Sequence, residues 1–226
     1  MFVNDICIGL LQQCNWNCRY CIASKNVEAI DEVAIFKELF PIRHKLEKLW
    51  ISGGEPGLLS ETFWHKLYSS IDFSLKICTN GTFITNGLYD IFKNRVHSLA
   101  IHCVNELDQD IDKRLIQAVK EDKTHKIILN IVVHRHNTHM IKDFLTKYKD
   151  LGHIHINFTD QTFADITDKD YDYVIDRKAA ENIVKQLGSF PGYNFLVAFI
   201  VKGLINNKYD NLNPWSPKNI DPSQSK

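Results

Sequence analysis

The chain has 226 residues, 44% of them hydrophobic, and its 27 basic side chains balance 27 acidic ones. That length and composition suit a folded domain with a full core and exclude a disordered chain. Zero net charge argues against a broad electrostatic grip on nucleic acid, and no apolar run is long enough to span a bilayer. The first residues, MFVNDICIGLLQQC, show no basic region or small-residue cleavage site. A cytoplasmic protein without a membrane partner is therefore expected, and there disulfides explain clustered cysteines poorly.

The first strand-like run, DICIGLL (5–11), leads straight into QQCNWNCRYCIAS, which places Cys14, Cys18 and Cys21 in a C-x3-C-x2-C spacing. A helical pattern follows over 28–40. The second strand, KLWISG (48–53), opens into Gly53-Gly54-Glu55-Pro56, and a helix over 60–70 begins with Ser60 as its cap. The third strand, SLKICTN (74–80), ends on Thr79-Asn80-Gly81 and precedes a helical pattern over 84–94. Strand four, HSLAIHCV (97–104), sets His102 and Val104 on one face, with a helix over 108–121 behind it. Strand five, KIILNIVV (126–133), contains Asn130, a polar residue that a buried strand would have to satisfy by hydrogen bonding. A helix over 138–150 starts near Asn137 or Thr138 and shows an apolar face at Ile141, Phe144, Leu145 and Tyr148. Strand six, HIHINFTD (153–160), an acidic loop and a helix over 176–187 complete the pattern. After about 211 the chain reads as a loose tail.

Strand–helix alternation repeated six times predicts βαβ units and a parallel sheet. A partial barrel or a doubly wound sheet satisfies that pattern, and in either case ligands gather beyond the carboxyl ends of the strands. The fold expected is α/β, a partial (β/α)6 barrel over residues 1–190, with a short C-terminal extension over 191–226.

The cysteine spacing leaves three chemistries open. A structural zinc site needs four ligands, usually in two pairs. A C-x-x-C redox pair would use Cys18 and Cys21 and leave Cys14 over. An iron–sulfur cluster held by three thiolates would leave one iron open to a substrate or cofactor. The glycines of GGEP permit close backbone approach, Glu55 offers an acceptor at a strand end, and Asn80-Gly81 favours a turn. The run HRHNTH (134–139) reads as a polar loop, not a metal site. Cys7, Cys78 and Cys103 read as small buried strand residues.

Taken together, C-x3-C-x2-C with Tyr20 before its last cysteine, WISGGEPGLL (50–59) and KICTNGTFIT (76–85) resemble the motifs of the radical S-adenosylmethionine (radical SAM) superfamily, in the same order after three successive strands. The resemblance covers about residues 5–160. Its wording is closest to the branch of the molybdopterin-precursor cyclase and the peptide-modifying enzymes, but no cysteine follows Cys103 to build that branch's C-terminal auxiliary clusters. The resemblance implies that Cys14, Cys18 and Cys21 hold a [4Fe–4S] cluster, and that S-adenosylmethionine (SAM) chelates the open iron. SAM is then cleaved to a 5′-deoxyadenosyl radical that abstracts hydrogen from a peptide or small-molecule substrate. It implies Tyr20, Gly53, Gly54, Glu55, Pro56, Thr79, Asn80, His102 and Asn130 as cofactor-binding residues, and a flavodoxin or ferredoxin as electron donor. Gly57 stands where the related pattern often has Leu, and a looser loop is expected there. A glycyl-radical-enzyme activase, a deazaguanine-forming radical SAM enzyme and a non-catalytic metal-binding module are the alternatives.

Overall fold

The computed structural model describes residues 3–9, 13–18, 20–21, 31–71, 74–151, 154–159 and 173–187. In chain order these form β1 (Val3–Gly9), α1 (Glu32–Leu39), β2 (Leu46–Ser52), α2 (Glu61–Ser70), β3 (Ser74–Thr79), α3 (Thr82–Thr85), α4 (Leu88–Phe92), β4 (Val96–His102), α5 (Lys113–Glu121), β5 (Ile127–Val133), α6 (Ile141–Lys147), β6 (Ile154–Phe158) and α7 (Arg177–Leu187). The six strands lie side by side in sequence order, and the pairings from β1 through β5 are all parallel. A doubly wound sheet reverses its strand order at a switch point. This order never reverses, so the fold is the α/β, singly wound arrangement of a partial (β/α) barrel.

The strands read as the pleat requires. Along β3 and β5 buried and half-buried residues alternate without exception. Leu49, Ile51, Leu75, Ile77, Leu99, Ile101, Leu129 and Ile131 form the closed face and are almost wholly buried. Lys76, Cys78, Ala100, His102 and Asn130 belong to the half-buried set. Helix residues complete the core through an aromatic chain: Phe36 on Phe63 at 5.0 Å, Phe63 on Trp64 at 5.6 Å and Trp64 on Phe83 at 4.9 Å between ring centres. Local caps fix the helix starts. Ser60 Oγ accepts from Phe63 N at 3.0 Å, and Asp31 accepts from Val33 and Ala34. Ser60 in turn donates to Glu32, which ties the start of α2 to α1.

The structure departs from the sequence expectation in the third helical segment. The helix expected over 84–94 is two short helices, because the chain turns at Gly87 with φ +80°. Residues 108–111 form a loop, and α5 starts only after Asp112, whose carboxylate accepts from Arg114 N at 2.8 Å. Residues 10–11, 28–30 and 160–172, and the expected C-terminal segment from 191 onward, lie outside the described residues.

The chain divides into two compact units. Residues 1–105, 110–131 and 151–155 make the first, with β1 to β4 and most of β5. The described residues within 106–109, 132–150 and 156–187 make the second, which contains α6 and α7. In the second unit Ile141, Phe144, Leu145 and Tyr148 are buried, and Gln186 of α7 donates to the Thr138 carbonyl at 2.7 Å. Among the described residues no helix is long and apolar enough to cross a membrane.

Trp64 is fully buried between Phe63 and Phe83. Trp64→Ala is expected to cost about 3–5 kcal/mol, measured as a lower urea midpoint at unchanged slope.

Candidate functional site

Cys14, Cys18 and Cys21 follow β1, and none is in a disulfide. A turn brings Cys21 N to the Cys18 carbonyl at 3.2 Å. Cys18 is buried, and Cys14 and Cys21 are half-buried. The loop that holds them is fastened to the carboxyl ends of three successive strands. After β2, Glu55 N donates to the Gln13 carbonyl at 2.9 Å. After β3, the Asn80 amide donates to Asn15 Oδ1 at 2.7 Å and to Cys14 Sγ at 3.6 Å, while Asn15 Nδ2 donates to Thr82 Oγ1 at 2.9 Å. At β4, the Tyr20 hydroxyl donates to the Asn105 carbonyl at 2.8 Å and lies 2.9 Å from His102 Nε2. With the Tyr20 hydrogen committed to that carbonyl, His102 is the donor and carries its proton on Nε2. Trp16 and Tyr20 flank the His102 imidazole at 5.9 and 5.6 Å between ring centres.

Glu55 ties the second and third motifs together. Its side chain is 0% exposed, yet three donors meet it: Gly57 N at 2.7 Å, Thr79 Oγ1 at 2.6 Å and Asn80 N at 2.6 Å. Burial pushes its carboxyl above the ordinary carboxylate range, and the bonds from Asn80, Thr79 and Gly57 pull it back. Both carboxylate oxygens are thereby engaged inside the protein.

Gly53 and Gly54 adopt φ +77° and +35°, and Pro56 opens a single 3-10 turn. The looser loop expected at Gly57 is not found. A Cβ at Gly57 would stand 2.4 Å from Phe83 N and 2.7 Å from Glu55 Oε1. The missing side chain is what lets the GGEP turn close against α3. Asn130 is half-buried, opposite His102 across the ladder, and its side-chain amide has no hydrogen bond among the described residues. Its strand alternates burial, so the amide is not withdrawn far enough from solvent to demand a protein partner.

The electrostatics around Cys14 are opposed. Burial pushes its thiol up, and the charges of Glu55 and Cys21 add to that, while hydrogen bonds from Trp16 N and the Asn80 amide pull it down. His102 is held down at about 4 by burial, so its ring is neutral near pH 7. Asn15, Gln13 and Thr82 are site residues that motif reading passes over. The only signal for them is polar composition beside Cys14 and Asn80.

Among the described residues no three His, Cys, Asp or Glu side chains converge as a single ion requires. Three thiols on one strand-end loop, with two N–H donors on Cys14, suit a [4Fe–4S] group, which spreads its thiolates over separate irons.

The second unit has its own polar cluster. His134 is buried, with Nε2 2.9 Å from Glu106 Oε2, and its Nδ1 accepts from His136 N at 3.3 Å. Asn137 accepts from His134 N at 2.8 Å and donates to the Val132 carbonyl at 3.1 Å. Both His134 ring nitrogens are thus engaged, Nε2 by Glu106 and Nδ1 within the turn.

No family model and no curated protein matches this chain. Among solved structures it resembles one described as native anSMEcpe with bound AdoMet (SAM) and Cp18Cys peptide, at a TM-score of 0.57 and 17% identity. The match covers 85% of this chain and 60% of that chain, so this chain spans less than two thirds of that protein. The likeness establishes a shared fold.

Two outcomes follow from the geometry. Gly57→Leu is expected to destabilise the protein by about 3 kcal/mol through overpacking, read by urea denaturation. For His102, the unfolded chain takes up a proton near pH 6.5 and the folded one only near 4. Its contribution is present above 6.5 and is lost as pH falls toward 4, a loss of up to about 3 kcal/mol. His102→Gln keeps a donor toward Tyr20 and is expected to lose less stability than wild type between pH 6.5 and pH 4.5.

Proposed function

We propose that this chain is a radical SAM enzyme that abstracts hydrogen from a peptide or small polar substrate. The observation that supports this most is the bonding of the GGEP turn and the Thr79-Asn80-Gly81 turn to the cysteine loop: Glu55 N to Gln13, and the Asn80 amide to Asn15 and Cys14. A loop that only held metal would need no such coupling to two further strand ends. Here three strand ends converge on the thiols, at the place where parallel α/β folds gather ligands.

Cys14, Cys18 and Cys21 would hold a [4Fe–4S] group, which with SAM supplies a 5′-deoxyadenosyl radical. The chain's own residues position and shield. Glu55 locks the second strand end to the third, so that the turn formed by Gly53 and Gly54 keeps one shape. His102 and Asn105 pin Tyr20, and with it the end of the cysteine loop. Asn130 and His102 stand side by side on β5 and β4, and the half-buried Asn130 amide is available to a cofactor or substrate. A peptide is the favoured substrate class, because the structural neighbour was solved with one bound and the motif wording points to the same branch. A low-potential flavodoxin or ferredoxin would supply the electron.

The test is anaerobic reconstitution with iron and sulfide, then dithionite and SAM, with 5′-deoxyadenosine read by chromatography. Wild type is expected to form it. Cys14→Ala, Cys18→Ala and Cys21→Ala are expected to abolish it, and Cys7→Ala to leave it. Iron bound without response to SAM would return the chain to the class of metal-binding modules.

A further inference from the structure

Asn80 is held more firmly than a turn residue needs to be. Its backbone N–H meets Glu55 Oε2 at 2.6 Å. Its Oδ1 accepts from Thr82 N at 3.1 Å and from Thr82 Oγ1 at 2.6 Å. Because Thr82 N can only donate, these bonds fix which end of the amide is oxygen. The Nδ2 group must then face Asn15 Oδ1 at 2.7 Å and Cys14 Sγ at 3.6 Å, a normal reach for a donor to sulfur. Trp16 N donates to the same sulfur at 3.4 Å. Asn80 thus stands between two acidic groups, giving its backbone N–H to the Glu55 carboxylate and its side-chain N–H to the Cys14 thiol.

We infer that Asn80 is a positioning residue whose amide N–H, aimed at Cys14, raises the reduction potential of the iron–sulfur group that Cys14, Cys18 and Cys21 would hold. The inference rests on the cofactor reading above. One electron from an external low-potential donor adds negative charge that is shared by the thiolates. An N–H directed at a thiolate stabilises that added charge and favours the reduced form. The amide is already in place before any electron arrives, so no reorganisation accompanies reduction.

The experiment is a redox titration of the reconstituted full chain followed by electron paramagnetic resonance, after iron and sulfide have been assayed. Asn80→Ala removes the donor and is expected to shift the midpoint to a more negative value. Asn80→Asp keeps an acceptor for Thr82 but puts a carboxylate beside the sulfur, and is expected to shift it further. Midpoints equal to wild type, at matched iron and sulfide content, would overturn the inference while leaving the cofactor reading intact. Should both variants fail to hold the group, wild type alone decides. With nitrogen-15 placed only in the asparagine side-chain amides, double-resonance spectra of the reduced group are expected to show a nitrogen-15 coupling, which the Trp16 N–H cannot give, and its absence overturns the inference. Wild type that retains neither iron nor sulfide overturns the cofactor reading and this inference with it.

Discussion

A carboxylate with no exposure to solvent is costly unless every oxygen finds a donor. Glu55 is such a group, and its three donors come from its own turn and from the end of β3. Much of the site follows from satisfying it. Gly57 has no side chain, because any Cβ would strike Glu55 Oε1 and the backbone of α3. Thr79 must turn its hydroxyl inward, which places the next residue, Asn80, with its backbone on the carboxylate and its side chain on the cysteine loop. The carboxylate thus sets the geometry around the thiols without touching them.

The neighbouring anchor works by a different principle. His102 is neutral because burial opposes its charge, and a neutral imidazole donates one hydrogen bond to Tyr20 without bringing a cation near the thiols. Among the described residues the donors on Cys14 are dipoles, a backbone N–H and an amide. Dipoles held in place stabilise developing negative charge without committing the sulfur to a fixed ionic partner.

The order of strands and helices was legible from short apolar runs alternating with helical patterns, and the start of α2 from its cap Ser60; the cap Asp112 was not, and α5 was expected to begin at 108. The break at Gly87 was less legible, since the surrounding pattern is helical on both sides and one residue decides it. The three motifs were legible as separate signatures. Their mutual bonding was not: Glu55 and Asn80 are 25 residues apart, and Tyr20 and His102 are 82 apart. Gly57 was misread for the same reason. Glycine in a loop suggests looseness, and only the position of Phe83 reveals a close approach. Asn130 reads as buried from its apolar neighbours in sequence, but the pleat gives it the other face.

The interleaving of the two compact units bears on how the chain reaches this state. The first unit takes residues 151–155 from beyond the whole 132–150 segment, and the second takes 106–109 from within the span of the first. Neither is a continuous stretch, so synthesis from the N-terminus cannot finish one before starting the other. Parallel pairing adds to this, because each strand must wait for a crossover before it meets its neighbour. Until about residue 155 has emerged, the cysteine loop would sit on a sheet that is still incomplete. The anchors of the cysteine loop at Glu55, Asn80 and Asn105 all lie within the first 105 residues, so the loop's fastening points are made before the sheet that carries them is complete.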